Sequence, residues 1–413
     1  MSAGEGLNGL ALKVGIYNEP VGSGIGGAEN VAAVLAEAML ADGHEVEVLH
    51  RIPGLTARGL AENSGTSLEG VRLRLVDPER EPPVLVGNPL RRYEAERRRQ
   101  AWLSESYDVF VAIVHRTPPF CHARLGALIV LFPGMAAPYV SLQGGVSVGE
   151  ALRRPAGFVY HGYEWRRRME SYRVKTAISE FSRAWTRRRW GIDCEVVHPP
   201  VDVHFGRAEK QRAVLSVGRF ALESEGHTKS QPEMVEAFRQ LEEAGALRGW
   251  EYHCVGGLRD TPEHRAYFER LRAHGGVGVR LAANLGRGEL KNLFERAAVF
   301  WHASGYGQDE SLDPVRVEHF GISTVEAMAA GCVPVVINRG GQRELVEHGA
   351  SGFLWDTLEE LKGYTATLAG DAGLRARMAE AARAAAQRFS REAFAENFRR
   401  RLVPPPAAPA GRI

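Results

Sequence analysis

The first third of the chain switches between two hydrophobic periods. LKVGIY (Leu12–Tyr17) is a short apolar run suited to a buried strand, and a glycine-rich loop follows it. In AENVAAVLAEAMLADG, Val31, Leu35, Ala38 and Met39 recur at helical spacing, and Gly43 stops the helix. HEVEVLH then alternates as a strand does. Strand, helix and strand at this spacing imply a right-handed crossover and a parallel sheet. YDVFVAIVH (Tyr107–His115) and LGALIVLFP add buried strands. EWRRRMESYRVKTAIS and EFSRAWTRRRWG read as two further helices, the first leading into a strand.

The second half restarts the pattern. RAVLSVGRF, EYHCVGG, VGVRLAANL and VFWHAS read as strands, and KSQPEMVEAFRQLEEAG, PEHRAYFERLRAHG and RGELKNLFERA as helices between them. The best boundary lies near Val201, after a proline-containing link. A polar loop, GYGQDESLDPVRV, precedes EHFGISTVEAMAAGCVPVV, and helices continue to about Leu402. The last stretch, VPPPAAPAGRI (403–413), reads as a disordered tail. The predicted fold class is α/β, with two doubly wound domains whose facing sheets put a crevice at the carboxyl ends of both.

Bulk composition changes this picture little. The 413 residues are 44% hydrophobic and 25% charged, enough for two sizeable cores. A formal net charge of +2 makes no demand for nucleic acid. Cys121, Cys194, Cys254 and Cys332 are far apart and form no Cys-x-x-Cys pair, which argues against structural zinc and a disulfide framework. No apolar run approaches the roughly 20 residues of a membrane helix. MSAGEGLNG has neither a basic start nor an apolar core, so no signal peptide is expected. The expected location is cytoplasmic.

Three stretches carry candidate chemistry. Gly22, Gly24 and Gly27 satisfy G-x-G-x-x-G between a strand and a helix, the dinucleotide fingerprint. The second strand, however, ends in VLHR and lacks the expected acid. The alternative for the loop is a tight turn needing glycine. In SVGRF and GHTKSQ, Arg219 and Lys229 follow the first strand of the second domain, where two cations suit a diphosphate. Their alternative is a pair of solvated surface charges.

In EHFGISTVEAM, Ser323 as N-cap and Glu326 three residues on fit a capping box. Glu318 precedes the helix and has no such role. Gly321, Ile322 and Ser323 place backbone N–H groups at a helix start, where phosphate is stabilised. Carboxylates flanking an anion site are repelled by phosphate, so they should accept from sugar and ribose hydroxyls instead. That is what a nucleotide-sugar site needs.

EHFGISTVEAMAAGCVPVV followed by GGQRELV resembles the E-x7-E signature of the family-4 retaining glycosyltransferases, which have the GT-B fold of two facing Rossmann-like domains. GGAEN, SVGRF with its later Lys, AISEFSR (Ala177–Arg183) and VVHPPVD (Val196–Asp202) match the same family in order, from about Leu12 to Leu402. The EHFGI spelling and GHTKSQPEMVEAF are similar to a branch holding the dolichol-pathway α-mannosyltransferases and related bacterial enzymes.

The resemblance implies an N-terminal acceptor domain over 1–200, a nucleotide-sugar domain over 201–385 and a helix at about 386–402 returning to the first domain. It implies that Arg219 and Lys229 hold the donor diphosphate and that Glu318 contacts the donor sugar. Glu326 would hold the ribose, and Gly321, Ile322 and Ser323 the phosphate through backbone. Phe320 falls among the donor-binding positions, and Gly26 and Gly27 would line the crevice. His115, in HRTPP, stands where the family often has His-Glu-Pro and is the catalytic candidate; His122 and His161 are its rivals.

No Asp-x-Asp motif appears, so no metal and no cofactor beyond the donor are expected. The donor is GDP-mannose or a UDP-hexose, and the acceptor a carbohydrate, lipid-linked or small-molecule hydroxyl. Arginine runs in RRYEAERRRQ, EWRRR and TRRRWG read as solvated helix faces. With Trp165 and Trp185 beside two of them, peripheral contact with the inner face of a membrane stays open. Two other classes also stay open: an NAD(P)-dependent oxidoreductase resting on the glycine loop, and a non-catalytic nucleotide-sugar-binding subunit. GYGQDESLDPVRV reads as an inserted loop able to cover a donor.

Overall fold

The computed structural model describes residues 11–19, 26–76, 89–134, 155–226 and 228–402. Gly22, Gly24, the His161 side chain and the tail 403–413 lie outside them. Two compact units emerge, one running to Pro200 and taken up again from Glu392, the other Val201–Arg391.

The first unit runs β1 (Lys13–Asn18), α1 (Gly27–Ala41), β2 (Glu45–His50), α2 (Ala57–Ser64), β3 (Arg72–Leu75), α3 (Pro89–Ser104), β4 (Val109–Val114), β5 (Leu125–Val130), α4 (Pro155–Glu170), β6 (Val174–Ala177), α5 (Glu180–Trp190) and β7 (Glu195–Val196). Its seven strands lie in the order β3-β2-β1-β4-β5-β6-β7, all parallel. Every residue of β4 and β5 is buried, as strands covered by helices on both faces must be. α2 and β3 were not legible, because ARGLAENS and RLRL carry no apolar run.

Ser179 caps α5 by accepting from the Ser182 N–H at 2.9 Å, and Gly191 closes it at φ 67°. Trp165 is not on the surface. Its ring packs edge-on against Trp190 at 5.4 Å and its indole N–H donates to the Trp190 carbonyl at 3.0 Å. A fully apolar ring with one bonded N–H is stable in a core, so the membrane expectation loses Trp165.

The second unit runs β8 (Gln211–Val217), α6 (Gln231–Glu243), β9 (Glu251–Gly256), α7 (Pro262–His274), β10 (Val279–Ala283), α8 (Arg287–Arg296), β11 (Ala297–His302), α9 (Ile322–Ala330), β12 (Val333–Ile337), α10 (Gln342–Leu345), β13 (Phe353–Trp355), α11 (Leu358–Gly370) and α12 (Ala372–Ala386). Its parallel strands follow the order β10-β9-β8-β11-β12-β13. Buried aromatic rings fill the core beneath them, including Phe238, Tyr252 and Trp301. α13 (Arg391–Leu402) then belongs to the first unit from Glu392 onward. There Arg399 pairs with Asp42 at 2.6 Å and Arg401 with Glu195 at 2.7 Å.

In each sheet the chain order reverses beside the first strand: β1 lies between β2 and β4, and β8 between β9 and β11. Ligands of doubly wound sheets bind outside the carboxyl ends of the strands at such switch points.

Candidate active site

Because β8 and β11 are neighbours, the loops leaving their carboxyl ends meet. Lys229, between β8 and α6, donates from Nζ to Glu318 Oε2 at 2.6 Å, and Glu318 lies between β11 and α9. Both side chains are largely buried, 16% and 20% exposed. Gly218 makes room for the lysine stem: an added Cβ would stand 2.8 Å from Lys229 Cγ. Gly256 is needed in turn, since a Cβ there would run into the Gly218 carbonyl. Ser230, next to Lys229, holds a left-handed backbone at φ 50°, uncommon for a residue with a side chain.

A third group joins the pair. His302, the last residue of β11, brings Nε2 to 3.2 Å from the same Glu318 Oε2. The ring is buried, and burial lowers its pKa against the opposing pull of Glu318. The sequence reading missed His302, whose position as the polar last residue of an apolar strand was the available signal.

α9 starts differently from the expected capping box. Gly321 is its N-cap, at φ 117°, and its carbonyl takes the N–H groups of Thr324 and Val325. Ser323 therefore lies inside the first turn, and Glu326 is two residues past the place from which a capping carboxylate reaches back. The left-handed conformation suits only glycine, and a Cβ at Gly321 would strike the Gln342 side chain. Gln342 is fully buried, and among the described residues its amide O and N have no hydrogen-bond partner. The backbone start of α9, at Gly321, Ile322 and Ser323, thus follows three residues behind Glu318.

Freed from capping, Glu326 has another environment. Burial, with Asp202 adding to it, raises its pKa to about 7 against the opposing pull of Arg287 and Arg391. Glu326 thus lies in the second turn of α9 and interacts with Arg287, at the start of α8. Arg287 is itself bound to Asp202 at 2.7 Å.

Arg219 is exposed, its stem beside Gly257 at the end of β9, and its carbonyl accepts from the Gln231 amide at 2.9 Å. Phe320 does not present its ring to a ligand. It is 2% exposed and packs edge-on against Phe389 at 5.4 Å, so the donor-binding expectation for that side chain fails on burial. The loop GYGQDESLDPVRV is tied down: Glu310 accepts from the Gly340 N–H at 2.9 Å and from Arg343 at 2.8 Å. Among the described residues no group of three His, Cys, Asp or Glu side chains is placed to hold a metal.

In the first unit, Gly26 and Gly27 begin α1 and are exposed. The Gly26 N–H is already taken by Glu29 Oε2 at 2.8 Å, and Glu29 Oε1 accepts from Asn18 at 3.3 Å. A buried carboxylate in the first turn opposes a pyrophosphate there, so the physical basis of the oxidoreductase alternative is lost. His115 follows β4 at the carboxyl edge, as required of the catalytic candidate. Burial, with Arg116 beside it, pushes its pKa down to about 4. Glu19, after β1, accepts from the backbone N–H groups of His115 and Arg116 at 3.3 and 3.1 Å. The rival His122 precedes β5, at the amino edge, with Nε2 on the Arg97 carbonyl at 2.9 Å.

Comparison with known proteins adds the family. Residues 25–205 match the model of Glycosyltransferase Family 4, and residues 202–385 that of Glycosyl transferases group 1. The GDP-Man:Man(3)GlcNAc(2)-PP-Dol alpha-1,2-mannosyltransferase of Dictyostelium discoideum is 28% identical over 237 residues, 53% of this chain and 44% of that protein. Its Homo sapiens counterpart is 27% identical over 226 residues, 49% and 42% of the two chains. The chain thus spans less than half the length of the curated relatives it matches. Among solved structures, a glycosyltransferase from Rickettsia africae superposes with a TM-score of 0.65 at 15% identity, covering 95% of this chain and 98% of that one. HepE of Anabaena, solved with UDP and glucose, gives 0.61 at 17%, covering 95% and 99%. Two parallel sheets with helices, sharing the fold of such neighbours, make this a GT-B architecture.

Proposed function

The chain belongs to the glycosyltransferases, a family-4 domain followed by a group-1 domain, and on that premise we propose that it moves a hexosyl group from a nucleotide-diphosphate sugar to an acceptor hydroxyl with retention of configuration. The observation that carries this reading is the meeting of Lys229 and Glu318 at the β8/β11 switch point, beside the glycine-capped start of α9.

In this reading Lys229 and the N–H groups of Gly321, Ile322 and Ser323 bind the donor diphosphate, with Arg219 reaching in from the loop after β8. Glu318 accepts from a donor-sugar hydroxyl and Glu326 from the ribose. The anomeric C–O bond breaks with oxocarbenium character, and the lysine and the helix start take up the charge on the leaving diphosphate. A leaving phosphate oxygen on the same face accepts the acceptor's proton. Charge stabilisation is assigned to protein groups, without a metal. His115, neutral throughout the physiological range, is assigned to the acceptor side as a hydrogen-bonding group.

GDP-mannose is the first donor to test, since the relatives' names specify GDP-Man. The acceptor class, glycan, lipid-linked or small molecule, follows from the same names only as a proposal. No described helix is long and apolar enough to cross a membrane. Trp185, with Arg188 and Arg189 over its ring at 4.8 and 5.1 Å, leaves peripheral contact as the form a lipid-linked acceptor would require. A thermal-shift screen against GDP-, UDP- and ADP-sugars, followed by transfer assays, tests the reading. GDP-mannose should raise the melting temperature and be consumed when an acceptor is added. A chain that binds none of these donors sinks it, and one that binds them without transfer is a binding subunit.

A further inference from the structure

We propose that His302 is a positioning residue for Glu318: its Nε2–H donates to Oε2 and keeps the carboxylate in place when a donor diphosphate draws Lys229 away. The proposal rests on the transferase reading for its purpose, but the contact stands on geometry.

Glu318 Oε2 faces two groups, Lys229 Nζ at 2.6 Å and His302 Nε2 at 3.2 Å. A carboxylate oxygen only accepts, so the ring nitrogen facing it must carry the proton. The opposite nitrogen, Nδ1, is buried and has no partner among the described residues. A proton on Nδ1 would leave a buried donor unpaired and set a bare Nε2 against the carboxylate. Both are costly, so the tautomer is decided by the surroundings. Burial keeps the second proton off, and the charged groups acting on the ring are Glu318 and Lys229. The ring borders a small cavity that Ser216, Gly218, Lys229, Gln231 and Trp301 also line.

The arrangement gives Glu318 one partner that a diphosphate competes for and one that it does not. Lys229 is the natural counter-charge of a phosphate. Once it turns, a lone carboxylate in this half-buried place would swing or protonate. A neutral N–H donor fixed at the end of a central strand prevents the swing without adding a second cation to compete for phosphate.

Two measurements test this. A long-range proton–nitrogen NMR spectrum of the wild-type histidines should show His302 protonated at Nε2 and bare at Nδ1, with the Nε2 signal displaced in Glu318→Gln. A proton on Nδ1, or an unmoved signal, overturns the contact. In transfer assays, His302→Leu fills the space without a donor and His302→Gln restores an N–H near the same point. Leu should lower turnover about 10- to 100-fold, the worth of a hydrogen bond to a charged group, with donor affinity within about threefold. Gln should recover most of the loss. Full activity in the Leu variant, or equal loss in both, overturns the positioning role. If the wild type turns over no nucleotide sugar, the transferase reading falls while the NMR tautomer still decides the His302–Glu318 contact.

Discussion

Lys229 Nζ sits 2.6 Å from Glu318 Oε2, so the cation suited to a diphosphate is already neutralised by the carboxylate suited to a sugar. Donor binding must exchange one partner for another. Removing the carboxylate's charge should therefore separate binding from chemistry. Glu318→Gln is expected to bind GDP or UDP about 3- to 10-fold more tightly, since Lys229 loses its competitor, while transfer falls about 100-fold or more. Lys229→Met should lose nucleoside-diphosphate binding instead. Calorimetric titration of both variants checks the split, and a Glu318→Gln protein that binds more weakly contradicts it.

Gly218 gives the lysine its path. Its missing Cβ would stand 2.8 Å from Lys229 Cγ, so Gly218→Ala must push the stem aside. We expect about tenfold weaker nucleoside-diphosphate binding, with a change in melting temperature of only a few degrees. Gly256→Ala is the contrast. Its Cβ meets the Gly218 carbonyl, a backbone atom that cannot step away, and stability should drop by several kcal/mol.

Glu326 has a folded pKa of about 7, above the usual carboxylate value of 4.5. A raised carboxyl pKa means that the folded state prefers the neutral form. The cost is absent below the unfolded pKa, grows as pH rises between the two values and is full above 7. Glu326→Gln should accordingly be more stable than wild type at pH 8, by on the order of 1–3 kcal/mol, with the gap closing towards pH 5. The same variant should bind nucleotide sugars less well. Melting curves at both pH values decide the first part, and equal gaps at pH 5 and 8 would contradict it.

His115 is pushed to about 4 by burial and Arg116. A depressed histidine pKa contributes stability that is complete above the unfolded value and is lost as pH falls towards the folded one. The His115 ring proton resonances should stay constant from pH 8 to 5.5. The rate profile should carry no break from this ring in that range, and an NMR midpoint near 6.5 would remove the assignment of a neutral ring to the acceptor side.

The parallel sheets were legible because β4, β5, β11 and β12 are nearly pure apolar runs and β8 carries a shorter one in Ala213–Leu215, and such runs declare themselves. Lys229 and Glu318 were legible because each ends a loop after such a strand. What stayed hidden depends on where a helix begins. Moving the N-cap from Ser323 to Gly321 removed the capping explanation of Glu326 and reassigned its carboxylate to the surroundings of Asp202, Arg287 and Arg391. Sequence spacing allowed either start, and the packing of Gly321 over Gln342 selects one. His302 and Glu29 were hidden for a different reason. Each matters through a partner distant in the chain or on the backbone, which composition does not display.

The first unit is discontinuous: α13, with Phe398 fully buried, is added after the whole of residues 201–391. On a ribosome, the early strands β1–β7 are exposed long before their last helix exists. The second unit, continuous in sequence, completes itself in the interval. The N-terminal half is thus begun first and finished last, and its unpaired helix-binding face must be kept from misassociation until α13 emerges.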